Sequence, residues 1–270
     1  MLSRCVILLL CWTIAYVHTE CYAGDNDQRN ALQIMELAMG RNTGKSSKVD
    51  LEMILIDQAG SERVRKLRIL RKEFKGFQGQ VVYFEEPADV RGTSFLSHDY
   101  LDSDRTTDQW IFLPAMHKVK HISSAEKRGS FMGSDLTYGD LSAVSLTDMD
   151  LVLLKEGQVG GKKVWIIQAM AKDLESAENI GFSRSLFLVR QDNYMVVRSV
   201  NWLNQTNRIR YMDVIKSVRI GDIWSPTEVH IWTTEHKKTI HKTILKTSKI
   251  EYNIPLDEGI FSVQQLEFGY

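Results

Sequence analysis

From Val49 to Tyr252 the chain is a succession of short segments in which apolar and polar residues alternate, separated by clusters of Gly, Asp, Asn and Ser. A period of two sends successive side chains to opposite faces of an extended backbone, so such segments become strands with one buried face. Val49, Leu51, Met53 and Leu55 alternate in this way with Asp50, Glu52 and Ile54. Asp57-Gln58-Ala59-Gly60 then supplies a turn, and Arg63 to Phe74 runs back as a basic strand. Further strands are predicted at Val81–Phe84, Thr93–Leu101, Gln109–Leu113 and Met116–Ile122. After a break come Leu151–Glu156, Lys163–Ala169, Leu186–Arg190, Tyr194–Val200, Ile209–Ile220, Thr227–Thr234 and Thr239–Tyr252. Hairpin spacing repeated in this way predicts one antiparallel, mainly β domain. One helix precedes it, over Asp27 to Gly40, with Leu32, Met35 and Met39 as its apolar stripe, widened by Ile34, Leu37 and Ala38.

The first residues read as an address. A short basic start (Met1 to Arg4) is followed by a 12-residue apolar run, Val6 to Val17, and a polar stretch ending Cys21-Tyr22-Ala23. This is the three-part form of a secretory signal peptide, and the run is too short to span a bilayer. The expectation is a leader over 1–23 and a single domain over 24–270. Cys5, Cys11 and Cys21 all fall within that leader, so the exported chain carries no disulfide and depends on its core alone.

Charge narrows the function. Lys and Arg together number 34, as do Asp and Glu, so the formal net charge is zero, which speaks against nucleic-acid binding. Arg63, Arg65, Lys66, Arg68, Arg71, Lys72 and Lys75 nevertheless make one strand region strongly basic. Two readings stand: a solvated outer face that blunts association through the sheet edge, or a docking stripe for acidic headgroups or an acidic partner.

Ser123 to Thr147 breaks the strand pattern. It combines Gly129, Gly133 and Gly139 with Phe131, Met132, Leu136 and Tyr138. A long loop rich in both glycine and large apolar side chains is either a plug over one end of the sheet or a functional lid. Signals for catalysis are weak. Phe131-Met132-Gly133-Ser134-Asp135 lacks the second glycine of a nucleophile elbow. A triad of Ser134, Asp135 and a histidine can be assembled only on paper. His117/His121 and His230/His236/His241 lack zinc spacing, and Asp135 with Asp140 lacks that of a calcium loop. No metal, cofactor or catalytic residue is predicted.

One series of motifs is more specific. Arg91-Gly92-Thr93 is followed by Trp110-x-x-Leu113-Pro114, by Lys120-His121-Ile122, and by Phe131-x-Gly133-Ser134-Asp135-x-x-Tyr138-x-Asp140. In this order they resemble the outer-membrane lipoprotein-sorting protein family, relatives of the carrier LolA, as does the ending Ile260-Phe261-Ser262 with Leu266-Glu267. The sequence departs from the family pattern at Phe112, usually tyrosine, and at His121, usually arginine.

The resemblance implies an incomplete, strongly curved antiparallel β-barrel with helices covering its open side and a hydrophobic cavity between them. It further implies a periplasmic, monomeric carrier, not an enzyme, that moves a lipoprotein acyl chain or other lipid between inner and outer membranes. Such a carrier would work with an inner-membrane exporter of the RND or MMPL type and an outer-membrane acceptor. An envelope lipid sensor of the same fold is the alternative. Trp110, Phe112, Phe131, Met132, Leu136 and Tyr138 are the candidate cavity or lid residues. Arg91 and Asp135 are the candidate polar contacts holding the lid, since an arginine and a carboxylate make a geometrically specific pair.

Overall fold

The computed structural model describes residues 25–100, 106–142, 145–204 and 206–269. The expected leader lies outside them. Helix α1 (Asp25–Met39) leads into a run of thirteen strands. These are β1 (Ser46–Asp57), β2 (Glu62–Phe74), β3 (Phe77–Glu86), β4 (Ser94–Tyr100), β5 (Asp108–Leu113), β6 (Lys118–His121), β7 (Met149–Val159), β8 (Lys162–Ala171), β9 (Phe182–Arg190), β10 (Val196–Leu203), β11 (Arg208–Ile220), β12 (Ile223–Glu235) and β13 (Lys238–Tyr252). A short helix, α2 (Leu174–Ile180), joins β8 to β9.

All thirteen strands form one antiparallel sheet in the order β6-β5-β4-β3-β2-β1-β13-β12-β11-β10-β9-β8-β7. Every neighbouring pair is consecutive in sequence except β1 with β13. The sheet does not close: β6 and β7, although consecutive in the chain, are its two edges. The segment between them must therefore travel from one edge to the other, and it does so across one face, here called inner.

Two apolar clusters occupy the inner face. At one end Leu51, Met53 and Leu55 of β1 pack with Leu67, Val82, Phe84 and Phe95. At the other end Leu151, Ile167, Ala169 and Val189 pack under α1. The helix buries Ala31, Ile34, Met35 and Ala38, a stripe at three- and four-residue spacing. The stripe is thus rotated from the predicted one: Leu32, Leu37 and Met39 are 40%, 52% and 44% exposed. α2 is too short to show a periodicity. Its ends carry local signals instead, with Asp173 accepting from the Ser176 amide at 2.7 Å and Gly181 in the left-handed region at φ 84°.

On the outer face the chain after β13 folds back over β3–β5. Phe261 and Leu266 are buried there against Leu70, Val81, Leu96 and Phe112. His98 Nε2 bonds the Phe261 carbonyl and the Ser94 hydroxyl donates to the Leu266 carbonyl, each at 2.8 Å.

The basic residues of β2 are divided between the two faces of the sheet, with Arg63 and Lys66 exposed. Alternation turns Arg65 and Arg71 to the inner side. Arg65 is buried and donates to the Met132 carbonyl, and Arg71 donates to the Thr43 carbonyl. On the outer side Arg68 pairs with Asp50 at 2.8 Å and with Glu85 at 3.0 Å, and Lys66 pairs with Glu86 at 3.0 Å.

Candidate functional site

The glycine-rich segment folds into a tight loop over the inner face of β1–β4. An isolated bridge between Ser130 and Thr137 draws its two arms together, and the Phe131 amide donates to the Leu136 carbonyl at 2.7 Å. Met132 and Gly133 both take positive φ, 52° and 76°, at the tip. Gly133 is at home there because a side chain would strain the left-handed backbone. This geometry drives Phe131 inward, where it is 2% exposed. Its ring centroid lies 5.4 Å from Phe95, 5.8 Å from Phe84 and 5.4 Å from Tyr138. Met132, Leu136 and Tyr138 pack around the same cluster. Burial pushes the Tyr138 hydroxyl above the usual phenol range.

Between the two apolar clusters the inner face becomes polar. Strand register places His241, Thr233, Arg210, Asn201 and Ser185 in one row across β13, β12, β11, β10 and β9. Asp135 descends onto this row from the loop. Its carboxylate, 1% exposed, accepts from Thr233 Oγ1 at 2.6 Å and Thr243 Oγ1 at 2.8 Å, and contacts His241 Nδ1 at 2.7 Å. Its amide donates to Thr243 Oγ1 at 2.9 Å, and its carbonyl accepts from Arg210 at 3.1 Å. The same guanidinium grips Asp140 through two bonds of 2.6 and 2.7 Å. Buried Gln109 donates to the Tyr138 carbonyl at 2.8 Å and to Ser142 Oγ at 2.9 Å. Loop and sheet are thus joined by a polar latch, in which Gln109 Oε1 and His241 Nε2 are buried without a hydrogen-bond partner among the described residues.

The eight predicted site residues divide. Phe131, Met132, Leu136, Tyr138 and Asp135 come together in the loop. Trp110 and Phe112 lie on the outer side of β5, in the cluster sealed by the C-terminal segment. Adjacent motifs say nothing of which strand face is which, and these two side chains share neither face nor cluster with Phe131. Arg91 sits in the exposed turn after β3 and donates to the Glu85 carbonyl at 3.0 Å. The arginine that serves the loop is Arg210. Ser134 Oγ donates to the Phe131 carbonyl at 2.8 Å, so it is a turn residue rather than the partner of His241. Among the described residues no three His, Cys, Asp or Glu side chains converge as a metal site.

The expected hollow is occupied. The loop fills one end of the inner face and α1 covers the other. Two surface pockets, of about 310 and 460 Å³, are lined by residues 161–163 with 191–192 and by residues around Tyr211 and Trp232. Neither draws on the inner apolar clusters. On the inner face between loop and helix, however, Met212, Val229 and Leu245 remain half-exposed.

A family model whose description reads only uncharacterized protein matches residues 76–268. The chain belongs to that family. A search of curated protein sequences returns no match. Among solved structures, an outer membrane lipoprotein-sorting protein domain from Vibrio parahaemolyticus is 26% identical, with a TM-score of 0.79, over 89% of this chain and 99% of that one. A DUF1329 family protein from Desulfovibrio piger is 23% identical with a TM-score of 0.76, over 89% and 98%. A LolA superfamily protein from Nitrosomonas europaea is 18% identical with a TM-score of 0.63, over 86% and 97%. The fold of this family member is therefore LolA-like: an unclosed antiparallel sheet with helical cover.

Proposed function

We propose that this LolA-like protein is a carrier that takes up an acyl chain or other lipid on the inner face of its sheet, and that the latched loop is its closed state. The observation that carries this reading is the loop itself. Four large apolar side chains fill an apolar recess, yet they are held there by a detachable polar latch. When the loop lifts, water can replace the hydrogen bonds of the latch, so it opens at lower cost than an all-apolar seal of the same size. The half-exposed Met212, Val229 and Leu245 offer an incoming chain its first apolar contact. Burying hydrocarbon gives about 0.8 kcal/mol per CH₂, so a chain of about 14 carbons supplies roughly 10 kcal/mol before loop displacement is deducted. Such a gain can displace a plug of a few side chains without any specific bond to the ligand.

In this reading the mature protein, residues 24–270, is a periplasmic monomer exported by the 1–23 leader. It performs no chemistry. It collects cargo at an inner-membrane exporter of the RND or MMPL type and delivers it to an outer-membrane acceptor. The sorting function attributed to the Vibrio relative supports this direction of traffic. The test is binding of a fluorescent fatty acid to purified protein, with and without Asp140→Ala, which frees one side of the latch. Saturable binding that tightens in the variant is expected. Absence of binding in both proteins would sink the carrier reading.

A further inference from the structure

Among the described residues, neither α1, the loop nor the C-terminal segment covers the outer face of β9–β13 around Trp202 and Trp232; elsewhere on that face Val164, Met195 and Val197 are buried in a small cluster with Trp224. The C-terminal segment stops over β3–β5, and α1 and the loop both lie on the inner side. Strand register places Arg184, Trp202 and Ile209 side by side in one row, and Tyr211, Trp232 and Lys242 in the next. All six are half-exposed. The Arg184 guanidinium lies 4.5 Å from the Trp202 ring centre, and Tyr211 stacks on Trp232 at 5.1 Å. Beside that stack the surface pocket of about 460 Å³ is bounded by Lys237 and His236. No carboxylate interrupts either row between β8 and β13; the first row meets one only at Asp150, on edge strand β7.

We propose that this face docks on an anionic lipid bilayer. Tryptophan and tyrosine, each with an apolar body and a polar tip, favour the headgroup depth of a membrane. Arginine and lysine around them meet lipid phosphates, and long lysine stems can lie along the apolar surface while the ammonium reaches outward. The charge of these two rows is complementary to acidic lipid although the whole chain is neutral and the carboxylates of the adjoining rows, Asp213 and Glu228, are paired with Arg198 and Lys216, so the attraction is local rather than global. The patch also stands on the strands that carry the latch: Ile209 and Tyr211 flank Arg210, and Trp232 flanks Thr233. A membrane-bound protein would therefore hold its loop-bearing strands against the surface that supplies or receives lipid. Docking is independent of what the inner face carries, so it can hold even if the carrier reading fails.

The test is flotation of the full chain with vesicles of phosphatidylcholine alone or with added phosphatidylglycerol. Binding is expected only with the anionic lipid and is expected to fall as salt rises. Lys237→Gln with Lys242→Gln should weaken it roughly 30-fold, from the attraction each basic side chain contributes near such a surface. Lys162→Gln with Lys163→Gln, at the opposite end of the sheet, should leave it unchanged. Lipids brominated near the headgroup should quench tryptophan emission in the parent and not in Trp202→Phe with Trp232→Phe, the melting temperature being measured alongside. Equal binding to both vesicle types, equal binding by the 237/242 variant, or capture by an acidic protein with no flotation would each overturn the proposal.

Discussion

Arg210 and Asp140 meet through two parallel hydrogen bonds, joining the middle of the sheet to the end of the loop that covers it. The same guanidinium holds the Asp135 carbonyl, so one β11 side chain fastens the second arm of the loop at two points. Arg210→Met leaves the Asp140 carboxylate half-buried without its counter-charge and removes three hydrogen bonds from the latch. A loss of about 3 to 5 kcal/mol in denaturant unfolding is expected. Arg210→Lys should recover part of it, because an ammonium cannot reproduce the planar fork. Hydrogen exchange at the Phe131 amide, which bonds Leu136, should quicken in both variants.

Asp135→Ala removes the acceptor for Thr233, Thr243 and His241 together. The hydroxyls and the imidazole are then stranded away from water, at about 1 to 3 kcal/mol for an unsatisfied buried group. The effect should not add to that of Arg210→Met, since both loosen one loop. A double-mutant cycle in unfolding free energy checks this; full additivity would separate the two contacts.

Phe131→Ala empties the centre of the recess and should cost about 3 to 5 kcal/mol. Under the carrier reading it also removes the main obstacle to hydrocarbon, so affinity for a fatty-acid probe should rise while stability falls. A fall in both would leave Phe131 as ordinary core.

The turn that begins the crossing from β6 carries an acid-sensitive contact. Hydrogen bonding to Lys120, then to the amide and hydroxyl of Ser123, lowers the Glu126 carboxyl to about 2. A carboxyl whose folded value lies below its unfolded one, about 4.3, contributes stability above the unfolded value and loses it as pH falls through the folded one. Glu126→Gln should therefore flatten the unfolding curve between about pH 4.5 and 2 and leave its shape near neutrality unchanged. A curve identical to the parent's throughout that window contradicts this.

Gly79 has no room for a side chain: a Cβ there would lie 2.9 Å from the Phe261 ring and 3.0 Å from that of Phe74. Gly79→Ala should push the C-terminal segment off β3 at a cost of about 1 to 3 kcal/mol. Faster proteolysis after residue 254 should report the change.

Most strands were legible because alternation is a local signal, cleanest in β1, where Val49, Leu51, Met53 and Leu55 share one side. The fold class follows from hairpin spacing and from the motif series. What was not legible is which motif residues share a face. Trp110 and Phe112 are near Phe131 in sequence order but separated from it by the thickness of the sheet. The latch partners Thr233, His241 and Thr243 arrive from the far end of the chain, nearly a hundred residues or more beyond Asp135. Their only signal is polarity at positions where alternation calls for an inward side chain, and Arg210 shares it. α1 showed its existence but not its rotation, because apolar residues lie on more than one side of it.

The crossing from β6 to β7 makes the cover over the inner face a strap fastened at both rims. A strap has no hinge. Under the carrier reading it would give way by slackening sideways between two fixed anchors, so the passage it uncovers would be a slit whose width is set by the spare length of its glycine-bearing arms. Shortening those arms by a residue or two would tighten the fit without touching any side chain that meets a guest.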